Sequence, residues 1–178
     1  MERWAELWAT WARRPDHDAY WRESGPPFLD FLPEPGRLTL DLGCGEGRVA
    51  RDLRARRHRV VGIDAAHTLV RLAKEADPGG KYLVGDAAAL PFDDASFDLV
   101  VAFNTLMDLD DIPGAVREAA RVVEPGGRLC ACVTHPMRDA GQFAGSAPDS
   151  LFVISGQYFG KRRLELTARR DGHEMHFR

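Results

Sequence analysis

Several things are scarce in this sequence, and each scarcity closes off a class of function. No apolar run reaches the roughly 18 residues that a membrane-crossing helix needs. The first residues mix tryptophans with charges where a signal segment would join a basic stretch to an apolar one. A membrane or secreted chain is therefore not expected, and the cytoplasm is. Cysteine is rare: there are three, an odd number with no C-x-x-C pair, which fits reduced thiols and not a disulfide framework. Cys130 and Cys132 alternate on one face of an expected strand and read as core residues. The six histidines are scattered, so no metal site is expected. Neither sign of charge dominates, with 24 Lys and Arg against 27 Asp and Glu and a net charge of -3; a basic face for nucleic acid is not expected. What remains, 178 residues of which 44% are hydrophobic and 29% charged, suits about one soluble domain with a real core.

The most informative stretch is 38–64, LTLDLGCGEGRVARDLRARRHRVVGID. Leu38, Thr39, Leu40 and Leu42 form a short apolar run between Gly36 and Gly43, the pattern of a strand covered on both faces. Gly43, Gly45 and Gly47 let the backbone turn sharply and approach a ligand without a Cβ in the way. From Arg48 onward Val49, Ala50 and Leu53 recur at helical spacing, with arginines on the remaining faces. Val60, Val61 and Ile63 make the next strand, and Asp64 stands at its carboxyl end, where open α/β sheets bind ligands.

The glycine spacing discriminates between nucleotides. The dinucleotide pattern G-x-G-x-x-G leaves a helix N-terminus free for a pyrophosphate, whereas here the third glycine comes one residue early and Glu46 adds a negative charge. A Walker loop would need G-K-[ST], and Gly47 is followed by Arg48. A ligand with a nucleoside at one end, an amino acid at the other and no phosphate fits better; a purely structural glycine turn is the alternative. The run Asp41-Leu42-Gly43-Cys44-Gly45-Glu46-Gly47 resembles the D-x-G-x-G-x-G signature of class I S-adenosylmethionine-dependent methyltransferases of the small-molecule type. The resemblance implies a cofactor site at Asp41, Gly43, Cys44, Gly45 and Gly47, with Asp64 accepting from both ribose hydroxyls and Ala65 beside the adenine.

A second segment, 85–98, GDAAALPFDDASFD, is similar to the G-D-A-x-x-L-P-F-x-x-x-S-F-D run of the same family. It implies that Asp86 accepts from the adenine amine and that the Ala87 amide meets a ring nitrogen; a turn or cap is the structural alternative for Asp86. The apolar run 97–103 is a further strand whose end presents Asn104 to the methionine part of the cofactor, with Leu106 or Met107 over the adenine. Asp110 or Asp111 caps a helix over 112–123, the turn Glu124-Pro125-Gly126-Gly127 ends it, and 128–134 makes the fifth strand.

Trp4, Leu7, Trp8 and Trp11 recur three or four apart, one face of an N-terminal helix, and 16–23 suggests a second helix from which Tyr20 reaches the methionine part. His135, leaving the fifth strand, is the candidate general base. Residues 141–155, rich in glycine, serine and alanine, read as a substrate loop, and 161–170 with 173–177 flank Asp171-Gly172 as a hairpin. The expected organisation is an N-terminal helical lid over 1–35, a cofactor-binding core over 36–135, and a loop and hairpin over 136–178. The fold class is α/β, a Rossmann-like doubly wound sheet of five parallel strands that lacks the family's usual last two. An open edge on the fifth strand invites a homodimer.

The function implied is methyl transfer from S-adenosylmethionine to a small-molecule acceptor, leaving S-adenosylhomocysteine and using no metal. A non-catalytic S-adenosylmethionine-binding module and a nicotinamide oxidoreductase are the alternatives.

Overall fold

A computed structural model describes residues 2–135, 140–156, 166–170 and 172–177. They form two compact units, Met1–Cys132 and Val133–Arg178. The first carries strands β1 (Thr39–Leu42), β2 (Val60–Asp64), β3 (Lys81–Val84), β4 (Phe97–Phe103) and β5 (Val123–Cys132). They lie in the order β3-β2-β1-β4-β5, with every neighbouring pair parallel. Five helices accompany them: α1 (Ala5–Ala12), α2 (Gly25–Phe31), α3 (Arg48–Ala55), α4 (His67–Ala76) and α5 (Ile112–Val122). The expected five-stranded Rossmann-like sheet is what forms. None of the described helices is long and apolar enough to cross a membrane.

Strand alternation explains the layers. Leu40, Leu42, Val61, Ile63, Val100 and Ala102 point to one face, where they pack with Ala119 and Val122 of α5. Val60, Leu99, Val101 and Phe103 point to the other, against Val49 and Leu53 of α3, Val70 and Ala73 of α4, and Tyr20 and Phe28. Both faces are thus dry, which is why β1 reads as a nearly continuous apolar run. Because the chain winds outward from β1 to β3 and then returns to β4, the ends of β1 and β4 diverge into the crevice where such sheets bind ligands.

Several details depart from the sequence reading. The buried side of α1 holds Ala5, Ala9, Trp11 and Ala12, and Ala5 and Ala9 meet Ala66 and Leu69 of α4. Alanines let the two helices approach closely, so the aromatic spacing misplaced the packed face by about one residue. A short helix was expected over 16–23; helical structure starts later, as a π-helical turn over residues 20–24 that runs into α2. Strand β5 starts at Val123, five residues early: Val123 pairs with Phe97 and Arg128 with Leu99, and a bulge absorbs the Pro-Gly-Gly between them. Asp111 caps α5, its Oδ1 accepting from the Gly114 amide at 2.8 Å.

In the second unit β6 (Gly141–Phe143) pairs antiparallel with β7 (Phe152–Ile154). A loop was expected there; the ring of Phe143 meets that of its cross-strand partner Phe152 edge-on at 5.2 Å, and such a pair steadies a short hairpin. The expected last hairpin forms from β8 (Leu166–Arg170) and β9 (His173–Phe177), its turn using Gly172 at φ 77°. The expectation for 161–165 lies outside the described residues.

Candidate functional site

Past Leu42 the chain enters the glycine turn, and Gly43, Gly45 and Gly47 all take positive φ, 70°, 55° and 84°. The Gly43 and Cys44 amides donate to the Ile63 carbonyl at 2.8 and 3.0 Å, tying the turn to β2. A Cβ on Gly43 would stand 2.1 Å from Cγ2 of Thr105. One on Gly45 would meet only Trp8 Nε1, at 3.9 Å. The first glycine is demanded by packing; the second leaves bare main chain facing open space.

Two carboxylates flank that bare stretch. Asp64 ends β2 with Oδ2 accepting from the Gly45 amide at 2.9 Å and Oδ1 from the Ala66 amide at 2.8 Å. Those bonds fix the carboxylate and leave lone pairs for a further donor. Burial raises its pKa against the pull of the two amides. Asp41 sits one strand over, opposite Gly62 in the β1–β2 register. It is 1% exposed, and its Oδ2 finds no hydrogen-bond partner among the described residues. Burial, with the Asp64 charge adding to it, pushes its pKa up to about 7. A buried carboxylate oxygen without a donor is costly, and such groups concentrate at functional sites.

The β4 end supplies the far wall. Asn104 adopts φ 52°, in the left-handed region that asparagine tolerates better than most side chains. Thr105, which the sequence reading missed, is buried and donates from Oγ1 to the Leu42 carbonyl at 2.9 Å. It clamps the ends of β1 and β4; its only signal in the sequence was its place after the strand. Met107 is half-buried, and Asp108 follows it. Burial raises the Asp108 carboxyl to about 6, with Asp64 contributing. At the β3 end Asp86 is exposed, and its Oδ1 accepts from the Ala88 amide at 2.9 Å, so it does make a turn. Ala87 packs into the α5 side of the core, and Ala65 is exposed beside Asp64.

Other expected residues are engaged elsewhere. Tyr20 is 2% exposed, its hydroxyl donates to Asp52, and its ring meets Phe103 edge-on at 5.1 Å. It is part of the packing under α3. The Cys44 side chain is buried against Gly62, where a Cβ would lie 3.0 Å from its Sγ, so Cys44 offers the crevice main chain only. Glu46, expected to repel phosphate, is 2% exposed and held by Arg13 at 2.8 Å and Arg51 at 2.8 Å. Its charge is balanced inside the loop, so the argument against dinucleotides rests on the glycine spacing. Arg48, expected on an exposed face, is buried and paired with Asp18 at 2.8 Å under the rings of Trp8 and Tyr20. His135 is exposed and belongs to the second unit; the crevice described above is built from the first. Among the described residues no three His, Cys, Asp or Glu are placed to hold a metal ion.

These residues fit S-adenosylmethionine. The partnerless Asp41 oxygen suits its cationic amino acid end, the bare face of Gly45 its tail, and Asp64 its ribose. Comparisons with known proteins identify the family. The malonyl-[acyl-carrier protein] O-methyltransferase of Erwinia pyrifoliae is 36% identical over 115 residues, 64% of this chain and 44% of that one. The 2-phytyl-1,4-naphtoquinone methyltransferase of Thermosynechococcus vestitus is 35% identical over 127 residues, 67% of this chain and 56% of that one. The chain spans about half the length of these curated relatives. Among solved structures, an S-adenosylmethionine-dependent methyltransferase from Mesorhizobium loti superposes with a TM-score of 0.64 at 25% identity, over 92% of this chain and 76% of that one. Residues 40–131, from β1 to the end of β5, match the family profile described as a methyltransferase domain, and to that family this chain belongs.

Proposed function

We propose that the chain transfers the methyl group of S-adenosylmethionine to a small-molecule acceptor. The observation that carries this reading is the partnerless, buried Asp41 oxygen beside the bare main chain of Gly45 and the fixed carboxylate of Asp64. That trio suits a cationic, phosphate-free nucleoside.

Bound there, S-adenosylmethionine supplies a methyl group on a positively charged sulfur, already a good leaving group for in-line attack. The residues of the chain then hold and align. Asp64 accepts from the ribose hydroxyls with the lone pairs its two amide bonds leave over. Gly43, Cys44, Gly45 and Gly47 present main chain to the tail. Asp86 and the Ala87 amide read the adenine edge, Met107 covers it, and Ala65 lies against it. Asn104 faces the methionine part from the end of β4. Helix α1 acts as a lid: Trp8 overhangs Gly45, Arg13 pairs with the loop's own Glu46, and the Thr68 amide at the start of α4 donates to Glu2 at 3.1 Å. A lid of this kind excludes water and preserves the line of attack, the two largest services a protein can offer a donor that is already activated.

The relatives' names point the acceptor panel toward malonyl-[acyl-carrier protein] and 2-phytyl-1,4-naphtoquinone. Calorimetry with S-adenosylmethionine, S-adenosylhomocysteine and NADH tests the cofactor: the first two bind and the third does not. Transfer of labelled methyl to that panel tests the reaction. Binding of NADH in preference to the adenosyl ligands would overturn the assignment.

A further inference from the structure

Among the described residues the segment 85–96, between β3 and β4, belongs to no helix or strand, so its main chain must find partners elsewhere. Its first end is tied to the sheet, the Gly85 amide donating to the Asp64 carbonyl at 3.0 Å. Asp86 and Ala87 then enter a turn that closes with the Ala89 amide on the Asp86 carbonyl at 3.1 Å. Immediately after it one ion pair of α5 takes over. The Leu90 amide donates to Glu118 Oε2 at 2.7 Å, and Arg121 donates to the Leu90 carbonyl at 3.1 Å.

The guanidinium is fully committed inside the protein. Its Nε and one terminal nitrogen donate to the two Glu118 oxygens, and the other terminal nitrogen donates to the Phe92 carbonyl and to Asp94 Oδ1, each at 2.8 Å. With the bond to the Leu90 carbonyl, every N–H of the group has an acceptor. The Arg121 carbonyl adds one more tie, accepting from the Ala95 amide at 3.0 Å. The same segment has apolar anchors, Leu90 in the core under α5 and Phe92 edge-on to Phe97 at 4.9 Å. Apolar contact is non-directional and leaves the peptide planes free to tilt. A forked ion pair that grips both main-chain groups of Leu90 fixes them.

We infer that Glu118 and Arg121 are positioning residues for the donor: they set the turn that presents Asp86 and Ala87 to the adenine, and so govern from α5 which purine the crevice accepts. The inference rests on the adenine reading proposed above. Arg121 has no N–H left for a ligand, so its effect passes through the loop. Adenine offers the turn an amino donor for the Asp86 carboxylate and a ring-nitrogen acceptor for the Ala87 amide. Hypoxanthine offers an oxygen in place of the amine and an N–H in place of the bare nitrogen, so both contacts invert. The inversion discriminates only while the turn is held. A loosened turn lets water or another main-chain group serve either base, and selectivity goes before the ribose and tail contacts do.

The test is calorimetry with S-adenosylhomocysteine and S-inosylhomocysteine, which share ribose, sulfur and tail and differ only in the base. The unaltered protein is expected to bind the adenosyl ligand at least about tenfold tighter. Arg121→Lys keeps the charge and loses the fork; it is expected to weaken the adenosyl ligand about tenfold and the inosyl ligand little, bringing the two within about threefold. Glu118→Gln, milder and of the same shape, is expected to narrow the ratio part of the way, and it decides the matter if Arg121→Lys fails to fold. A merely structural pair would weaken both ligands alike, and an unchanged ratio in the folded variants overturns the inference. Equal affinities in the unaltered protein also overturn it, while leaving the methyl-donor reading in place. Failure of both ligands to bind overturns that reading and the inference with it.

Discussion

At the scale of single residues, Asp41 is where folding and function oppose each other most directly. Enclosed at 1% exposure with a partnerless oxygen, it is costly to ionise in the folded chain. Its pKa near 7 lies above the ordinary carboxylate value, so the folded state prefers the protonated form. The unfolded chain releases that proton near pH 4, and the folded one only near pH 7. Asp41 therefore withdraws stability from the ligand-free protein as pH rises from about 4 to about 7, and the loss is complete above that window. Asp41→Asn should remove this slope. Thermal melts of both proteins should match near pH 3.5 and diverge upward for the variant by pH 8, by on the order of 4 kcal/mol. A variant less stable than the parent at pH 8 would show that the carboxylate is paired in solution. Glu118 slopes the other way: Arg121 holds its carboxyl down at about 2, so its contribution is present above the ordinary value and is lost as pH falls toward 2.

At the scale of elements, the glycine loop separates packing from binding within three residues. Gly43→Ala adds a Cβ into the Thr105 side chain that clamps β1 to β4, at a positive φ as well. It should cost about 2–3 kcal/mol, from overpacking together with backbone strain. Gly45→Ala carries only the positive-φ strain, about 1 kcal/mol, because its Cβ would meet open space. That Cβ fills the face left for the ligand, so donor affinity should fall at least tenfold while the melting temperature drops by only about 2–4 °C. Equal losses of stability and binding for the two variants would remove the distinction. The buried Glu46 couples the same loop to α1 through Arg13 and to α3 through Arg51. Glu46→Gln removes the charge that both arginines share but leaves them partly solvated, so it should cost about 1–2 kcal/mol and speed amide exchange over residues 5–12 ahead of the sheet.

What the sequence could and could not show follows from where each element's partners lie. Strands β1, β2 and β4 were legible because each is buried on both faces by its own apolar residues, and a periodicity within a few residues carries that signal. The two acidic positions at the ends of β1 and β2 were legible because glycine spacing placed them. Glu46, Arg48 and Thr105 were misread or missed for the opposite reason. Their surroundings come from Arg13, from Asp18 and from Leu42, far away in the chain, and a charged residue beside a helix start looks exposed until those partners are known. The burial of Tyr20 was hidden likewise, because nothing local announces Asp52 as the partner of its hydroxyl. The hairpin of β6 and β7 was hidden by glycine and serine, whose turn preference outweighed the Phe143 and Phe152 that pair across it.

At the scale of the whole molecule, ligand binding and folding are one equilibrium, and the two units allow it to be read separately. The site's carboxylates and glycines all come from Met1–Cys132. A ligand held there at 100 times its dissociation constant adds about 2.7 kcal/mol to folding. For a domain of this size that corresponds to a rise of about 5–10 °C in melting temperature. The donor should give that rise, and the same concentration of NADH none. Hydrogen exchange locates the gain: protection should grow over 38–64, 85–90 and the α1 lid, and stay level at β8 and β9 if the second unit unfolds on its own. Protection that rose equally across both units would mean that the second unit shares the cofactor's folding unit. Binding at the crevice would then order the chain well beyond the sheet that supplies its carboxylates.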